Sequence, residues 1–287
     1  MLSRIFLIFK KYSYIIVLFI IPVILVVLWF RTADILGTGE SGLPFYDLML
    51  QFKNFSYAWA NYALGHPTNI TIASAPTYWF LAQLQNIGVP AFLLQAFFLW
   101  FSITVSGIFI YLLTIELFPK LDQKIYLLAP LFYWFNPFSM VNIWNRFLNN
   151  FFVFYAFLPL VLLLFIKGIK LKKYIYAVLI GLSSLIFSYA SSSITISLLL
   201  WFVFSYAALF YLVFNKQGDK LFVVKFFLTT LLFWFLVNFW WISQVLSYVG
   251  LGSFSAVASS SFTTDSNYNT FYILSQKLGN LIDILRL

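Results

Sequence analysis

Cysteine is absent from this 287-residue chain and histidine occurs once, at His66. Disulfides, thiolate metal sites and multi-histidine metal sites are therefore excluded, although a missing cysteine does not identify a compartment. His66 stands in "LGHPTN", a turn-like stretch, and is read as non-catalytic. Charge is the second scarcity. Only 9% of residues are charged, eight of them acidic, whereas a water-soluble domain carries about 25%. A nucleic-acid footprint would be a basic patch on a soluble face with interleaved aromatics, and none is present.

What fills the chain instead is hydrocarbon and aromatic surface: 63% hydrophobic residues, with 37 Phe and 18 Tyr. Such a chain cannot cover itself with polar groups, so its outer surface faces lipid. Only helices of roughly 20 apolar residues, or closed barrels, satisfy the backbone inside hydrocarbon. Seven apolar stretches are expected as spanning helices, at about 13–30, 91–117, 125–140, 147–166, 174–190, 194–214 and 221–246. The third is short and holds Pro130 and Pro137, so a kink or a hairpin with the fourth is expected there. The fold class is all-α: a multi-pass membrane protein forming a single module over 1–287. The N-terminal basic residues and apolar run resemble a signal peptide, but no small-residue cleavage site follows, and the segment reads as a retained anchor.

Charge sets the expected orientation. With the N-terminus in the cytoplasm, 12 of the 17 basic residues fall on the inner side and five on the outer, as the positive-inside rule requires. The net charge of +9 then reflects topology and contact with anionic lipid. Residues 31–90 become a long extracytoplasmic segment. In it Phe45, Leu48, Met49, Phe52, Phe55 and Trp59 recur at helical spacing, which fits an interfacial amphipathic helix or a helix packed on protein equally well. "APTYWFLAQLQNIG" (75–88) reads as a second such helix.

"GTGESG" (37–42) matches the dinucleotide fingerprint GxGxxG. That motif binds a pyrophosphate only between a strand and a helix, and here it follows an apolar span. Five of the eight acids are expected on the outer side, and three of those (Asp34, Glu40 and Asp47) lie within 34–47. A carboxylate near the lipid boundary must be hydrated, paired or used, so this cluster is a candidate site. Wet loops carry acids too, and that reading stands beside it. Arg146, in "NIWNRFLNN" (142–150), can grip a lipid phosphate with its forked donors or snorkel from a helix end. Arg31, directly after the first span, suits anchoring or phosphate contact. "SYASSSITIS" (188–197) reads as a short outer turn whose serines satisfy helix ends.

The stretches "GESGLPFYDL" (39–48), "YAWANYALGHP" (57–67), "LLAPLFYWFNPFSMVNIWNRF" (127–147), "AFLPLVLLLF" (156–165) and "NFWWISQVL" (238–246) run in order along nearly the whole chain. Together they resemble the membrane module of the GT-C glycosyltransferases, in particular the prokaryotic arabinofuranosyltransferase-like group. The resemblance implies transfer of a sugar from a polyprenyl-phosphate donor to a glycan, lipid or protein acceptor on the extracytoplasmic face of the cell membrane. It implies an acid in the first outer loop as general base, with Glu40 standing where the family shows a Gly-Asp pair and Asp47 as the second choice. It also implies a cation for the departing phosphate, Arg146 first and Arg31 next. No cofactor is required by these residues, and a divalent cation is compatible with the chemistry. Relatives of this kind are longer, which makes a fragment or split protein an expectation. The rival classes are a transporter or flippase for lipid-linked saccharides and a non-catalytic assembly subunit.

Overall fold

The computed structural model describes residues 2–37, 43–56, 59–60, 66–67, 70–145, 147–214 and 219–250. Its helices are α1 Leu2–Trp29, α2 Leu48–Ser56, α3 Ala75–Asn86, α4 Ala91–Leu117 and α5 Gln123–Phe135. They continue as a short turn α6 Pro137–Ser139, α7 Asn149–Leu171, α8 Ile175–Ile186, α9 Ile194–Phe214 and α10 Lys220–Gly250. The extended backbone among the described residues is one antiparallel pair of two-residue strands, Trp59–Ala60 with His66–Pro67. The chain divides into a compact unit over Met1–Trp241 and a second over Ile242–Leu287, of which the end of α10 is described.

Four helices are long and apolar enough to cross a membrane: Ala91–Leu117, Asn149–Leu171, Thr195–Phe214 and Lys220–Leu246. The other apolar stretches expected to span are also helical, but two of them are short. At 1.5 Å per residue, α5 and α8 extend only about 20 Å, against a hydrocarbon core of about 30 Å. The third expected span does not run unbroken to residue 140. α5 stops at Phe135 because Asn136 takes extended angles and caps the next turn, its Oδ1 accepting from the Ser139 N–H at 3.0 Å. A π-helical turn over Met140–Asn145 follows. The fifth ends at Ile186, where the chain tightens into a 3-10 turn over Ser188–Ser192.

α4 and α7 pack together at the centre, with α1 and α5 against α4 and α8 against α7. Two small residues let large rings in. Trp134 of α5 is fully buried, and its Nε1 donates to Ser106 Oγ at 3.0 Å and to Ile103 O at 3.2 Å. Its indole occupies the space a Cβ at Gly107 would need, and Phe226 does the same at Gly168. Gly107→Ala is therefore expected to cost about 1–3 kcal/mol by overpacking, where helix propensity alone would make alanine better by about 1 kcal/mol. Thermal unfolding in detergent reads the sign directly, and a raised midpoint would refute the steric account. α8 and α10 are joined by a satisfied polar cluster: Asn238 Nδ2 donates to Ser184 Oγ at 2.6 Å, and Trp241 Nε1 donates to Asn238 Oδ1 at 2.9 Å.

The segment before the core helices positions the site. Phe45 and Leu48 are buried, and α2 lies on α3. The apolar stripe that runs from Phe45 into α2 thus meets protein, with Phe45 against Phe98 and Phe55 of α2 against Tyr78 at ring-centre distances of 5.5 and 5.4 Å. α3 ends at Asn86, and just beyond it Gly88 takes a φ of +95° that is open to glycine at little cost and lets the Val89 N–H return to Leu84 O at 3.1 Å.

Candidate functional site

Two of the four candidate residues from the sequence, Glu40 and Arg146, lie outside the described residues. Asp47 is exposed and caps α2: its Oδ1 accepts from the Leu50 N–H at 2.8 Å and its carbonyl from the Gln51 N–H at 3.1 Å. Asp47→Asn, which keeps a capping oxygen, is expected to unfold like the unaltered chain, while Asp47→Ala loses about 1 kcal/mol in a thermal melt. Equal losses in both variants would show that the charge, and not the cap, is what matters. Arg31 is exposed in the turn after α1, and Asp34 is exposed three residues later. Gly37, the first residue of the GxGxxG match, follows a helix and an irregular stretch, and the next helix among the described residues begins at Leu48. The strand–turn–helix context that the nucleotide fingerprint needs is absent among the described residues.

Both ends of the stretch that carries Glu40 are tied to the bundle by glutamine. Gln95 of α4, fully buried, accepts from the Leu36 N–H at 2.8 Å and donates to Leu36 O at 2.9 Å. Gln85 of α3 accepts from the Leu48 N–H at 2.9 Å and donates to Tyr46 O at 3.1 Å. Each amide serves one backbone donor and one backbone acceptor, so the chain entering and leaving this stretch is held by two-point contacts.

Next to these anchors is a polar cavity of about 510 Å³. Its amides are Gln51 of α2 and Asn150 of α7, and its hydroxyls come from Thr71, Ser74, Ser192 and Ser193. Aromatic faces close it: Phe55, Tyr78, Phe151 and Tyr189. None of its described lining residues is charged, and Asp47 is not among them. The Tyr78 and Tyr189 hydroxyls meet at 2.7 Å. Burial, reinforced by Tyr189, holds the Tyr78 hydroxyl well above the ordinary tyrosine range. Tyr189, in the turn between α8 and α9, is likewise raised by burial, with Tyr78 and Asn149 acting in the opposite sense. Both phenols stay neutral at physiological pH and serve as hydrogen-bonding groups. Asn149 is buried behind this wall. Its amide influences the Tyr189 hydroxyl, yet neither amide atom makes a hydrogen bond of good geometry.

On the other side of the same wall lies an apolar groove of about 480 Å³. Trp79 and Phe80 of α3, Phe97 and Phe101 of α4, and Ile186 and Phe187 at the end of α8 line it. Tyr189 touches Phe98 at 6.2 Å between ring centres, and Phe101 stacks on Phe187 at 6.4 Å, so one aromatic partition borders both spaces.

No family model, curated protein or solved structure matches the chain. Function is therefore read from the site's chemistry. Sequence reasoning singled out the stretch 142–150, which ends at Asn150, for Arg146, and placed the serines of 188–197 in a helix-capping turn. It did not find Tyr78, Tyr189, Gln51, Gln85 or Gln95. The one available signal was a glutamine inside the apolar stretch "AFLLQAFFLW" (91–100), a polar group that hydrocarbon tolerates only with partners.

Proposed function

We propose that the chain is a multi-pass membrane glycosyltransferase of the GT-C type, with seven membrane-inserted helices and the polar cavity on the extracytoplasmic side. The donor is a sugar carried on a polyprenyl phosphate, and the acceptor is a hydroxyl of a glycan, lipid or protein. The observation that carries this reading is the pairing of a neutral cavity rich in hydroxyls, amides and aromatic faces with an apolar groove across one shared wall. Neutral hydrogen-bonding groups and ring faces suit a sugar, and the groove suits a hydrocarbon chain.

In this reading the acceptor oxygen attacks the anomeric carbon and the bond from that carbon to the phosphate oxygen breaks. The acceptor proton passes to Glu40, and the polyprenyl phosphate departs. Glu40 is four residues from Pro44 and Arg146 two from Leu148, and both Pro44 and Leu148 line the cavity. Asp47 is the weaker base, since its carboxylate already caps α2. Arg146 and Arg31 remain the candidate phosphate contacts. A transporter would be expected to bury ionisable side chains. Among the described residues no Asp, Glu, Lys, Arg or His side chain is buried, which favours the enzyme.

The test is native mass spectrometry of the protein gently extracted from its own membrane, followed by a transfer assay with the lipid fraction it carries. A bound polyprenyl-phosphate sugar that is consumed when acceptor is added supports the proposal. Bulk phospholipid alone, with no transfer, would refute it.

A further inference from the structure

Opposite the polar cavity, the bundle ends in turns whose positive charge is gathered on one side. α7 runs about 30 Å from Asn150 to its last residue, Leu171, and α10 begins at Lys220. These two ends meet: Lys172 Nζ lies 3.8 Å from Asp219 Oδ2, and Tyr174 packs on Phe222 at 5.1 Å between ring centres. The end of α4 is beside them, since Lys170 Nζ pairs with Glu116 Oε1 at 3.0 Å. α4, α7 and α10 are three of the four helices long and apolar enough to cross a membrane, and when they do so this end stands at headgroup level.

Membrane topology alone asks only that lysines lie at such an end, and any of its turns would serve. Here they are unevenly placed. The segment 116–124 is neutral, with Lys120 and Lys124 balanced by Glu116 and Asp122. Segments 170–175 and 219–225 together hold five lysines and one acid, Asp219. That acid is already committed twice, to Lys172 and to the Phe222 N–H, which donates to its Oδ1 at 3.0 Å. Lys173, Lys220 and Lys225 are exposed, and among the described residues their ammonium groups have no partner. Lys225 is the telling one. It lies about 8 Å further along α10 than Lys220, beside the exposed Leu221, Val224 and Leu228, so its stem must run over apolar surface to bring the charge up to the headgroups.

We propose that the α7–α8 turn and the start of α10 form a docking site for an anionic phospholipid of the surrounding membrane. Its phosphate lies among Lys173, Lys220 and Lys225, and its acyl chains lie along Ile175, Leu221 and Val224. Unpaired cations beside exposed apolar side chains complement a negative headgroup above hydrocarbon, whereas a zwitterionic headgroup brings no net charge to neutralise them. The site shares no residue with the polar cavity or the apolar groove and does not depend on the transferase reading.

The test is native mass spectrometry of the full chain in a neutral detergent, titrated with dioleoyl phosphatidylglycerol and, separately, with dioleoyl phosphatidylcholine. The unaltered chain should bind its first phosphatidylglycerol about tenfold or more tightly than its first phosphatidylcholine. Lys173→Gln combined with Lys220→Gln should weaken phosphatidylglycerol binding by about tenfold or more, because each lysine near an anionic headgroup contributes about fivefold. Phosphatidylcholine binding should not change. Lys173→Arg combined with Lys220→Arg keeps both charges and should bind phosphatidylglycerol within about threefold of the unaltered chain. Lys120→Gln combined with Lys124→Gln, at the neutral turn of the same end, should stay within about twofold. All four positions are exposed, so thermal unfolding in detergent should match that of the unaltered chain in every variant. Equal losses in the two glutamine pairs would overturn the site and leave only the overall charge of that end. Equal affinity of the unaltered chain for the two lipids would overturn the preference for an anion. Glycerol phosphate that displaces phosphatidylglycerol at comparable concentration would overturn the assignment to a membrane lipid.

Discussion

Glu40→Gln is expected to lower sugar transfer by about 10²–10⁴-fold, with expression and thermal stability unchanged. The amide keeps the size and hydrogen-bonding capacity of the side chain and removes only its ability to take a proton from the acceptor hydroxyl. Glu40 lies between the two glutamine anchors, at Leu36 on one side and at Tyr46 and Leu48 on the other. Asp47→Asn provides the contrast, since an asparagine at the cap position preserves the start of α2. The measurement is turnover of the purified donor with each variant, at saturating acceptor. Full turnover by Glu40→Gln with loss in Asp47→Asn would move the base to Asp47. Full turnover by both would remove the acid-base role from this cluster.

Gln95→Leu carries the largest expected effect on the folded site. The leucine fills a similar volume in an apolar helix, so packing and helix propensity change little. What is lost is the pair of contacts to Leu36, at 2.8 and 2.9 Å, in a place where the glutamine itself is fully buried. An N–H and a C=O that lose their partners at the half-buried Leu36 cost at most about 1–3 kcal/mol each. Hydrogen exchange at Leu36 and thermal unfolding should both report the loss. A melting temperature and a Leu36 exchange rate both unchanged in Gln95→Leu would mean the clamp does not hold the fold.

The helices themselves were legible from hydropathy. The stretches 91–117 and 194–214 are the helices α4 and α9 to the residue, because a segment in hydrocarbon must satisfy its own backbone and can do so only as a helix. Breaks were less legible. Asn136 ends α5 by capping the turn that follows, and that choice depends on a local hydrogen bond to Ser139 that hydropathy does not register. The direction of the α2 stripe was undetermined as well. Phe45 and Leu48 face protein because α3 and α4 are there to receive them, and the same spacing would have served a lipid interface.

The cavity was illegible for a related reason. Tyr78 and Tyr189 are separated by 111 residues in sequence, and Gln95 and Leu36 by 59. Neutral serines, asparagines and tyrosines near helix ends form no spacing motif, and only packing decides which of them share a wall. What the sequence by itself determined is a helical membrane protein, since apolar surface on that scale has no other stable exterior. Only the tertiary structure decided that a neutral polar cavity and an apolar groove share one aromatic wall, because that wall is made from α3, α4 and the turn after α8. The contacts that join those elements are long-range, and they form only once the helices have packed.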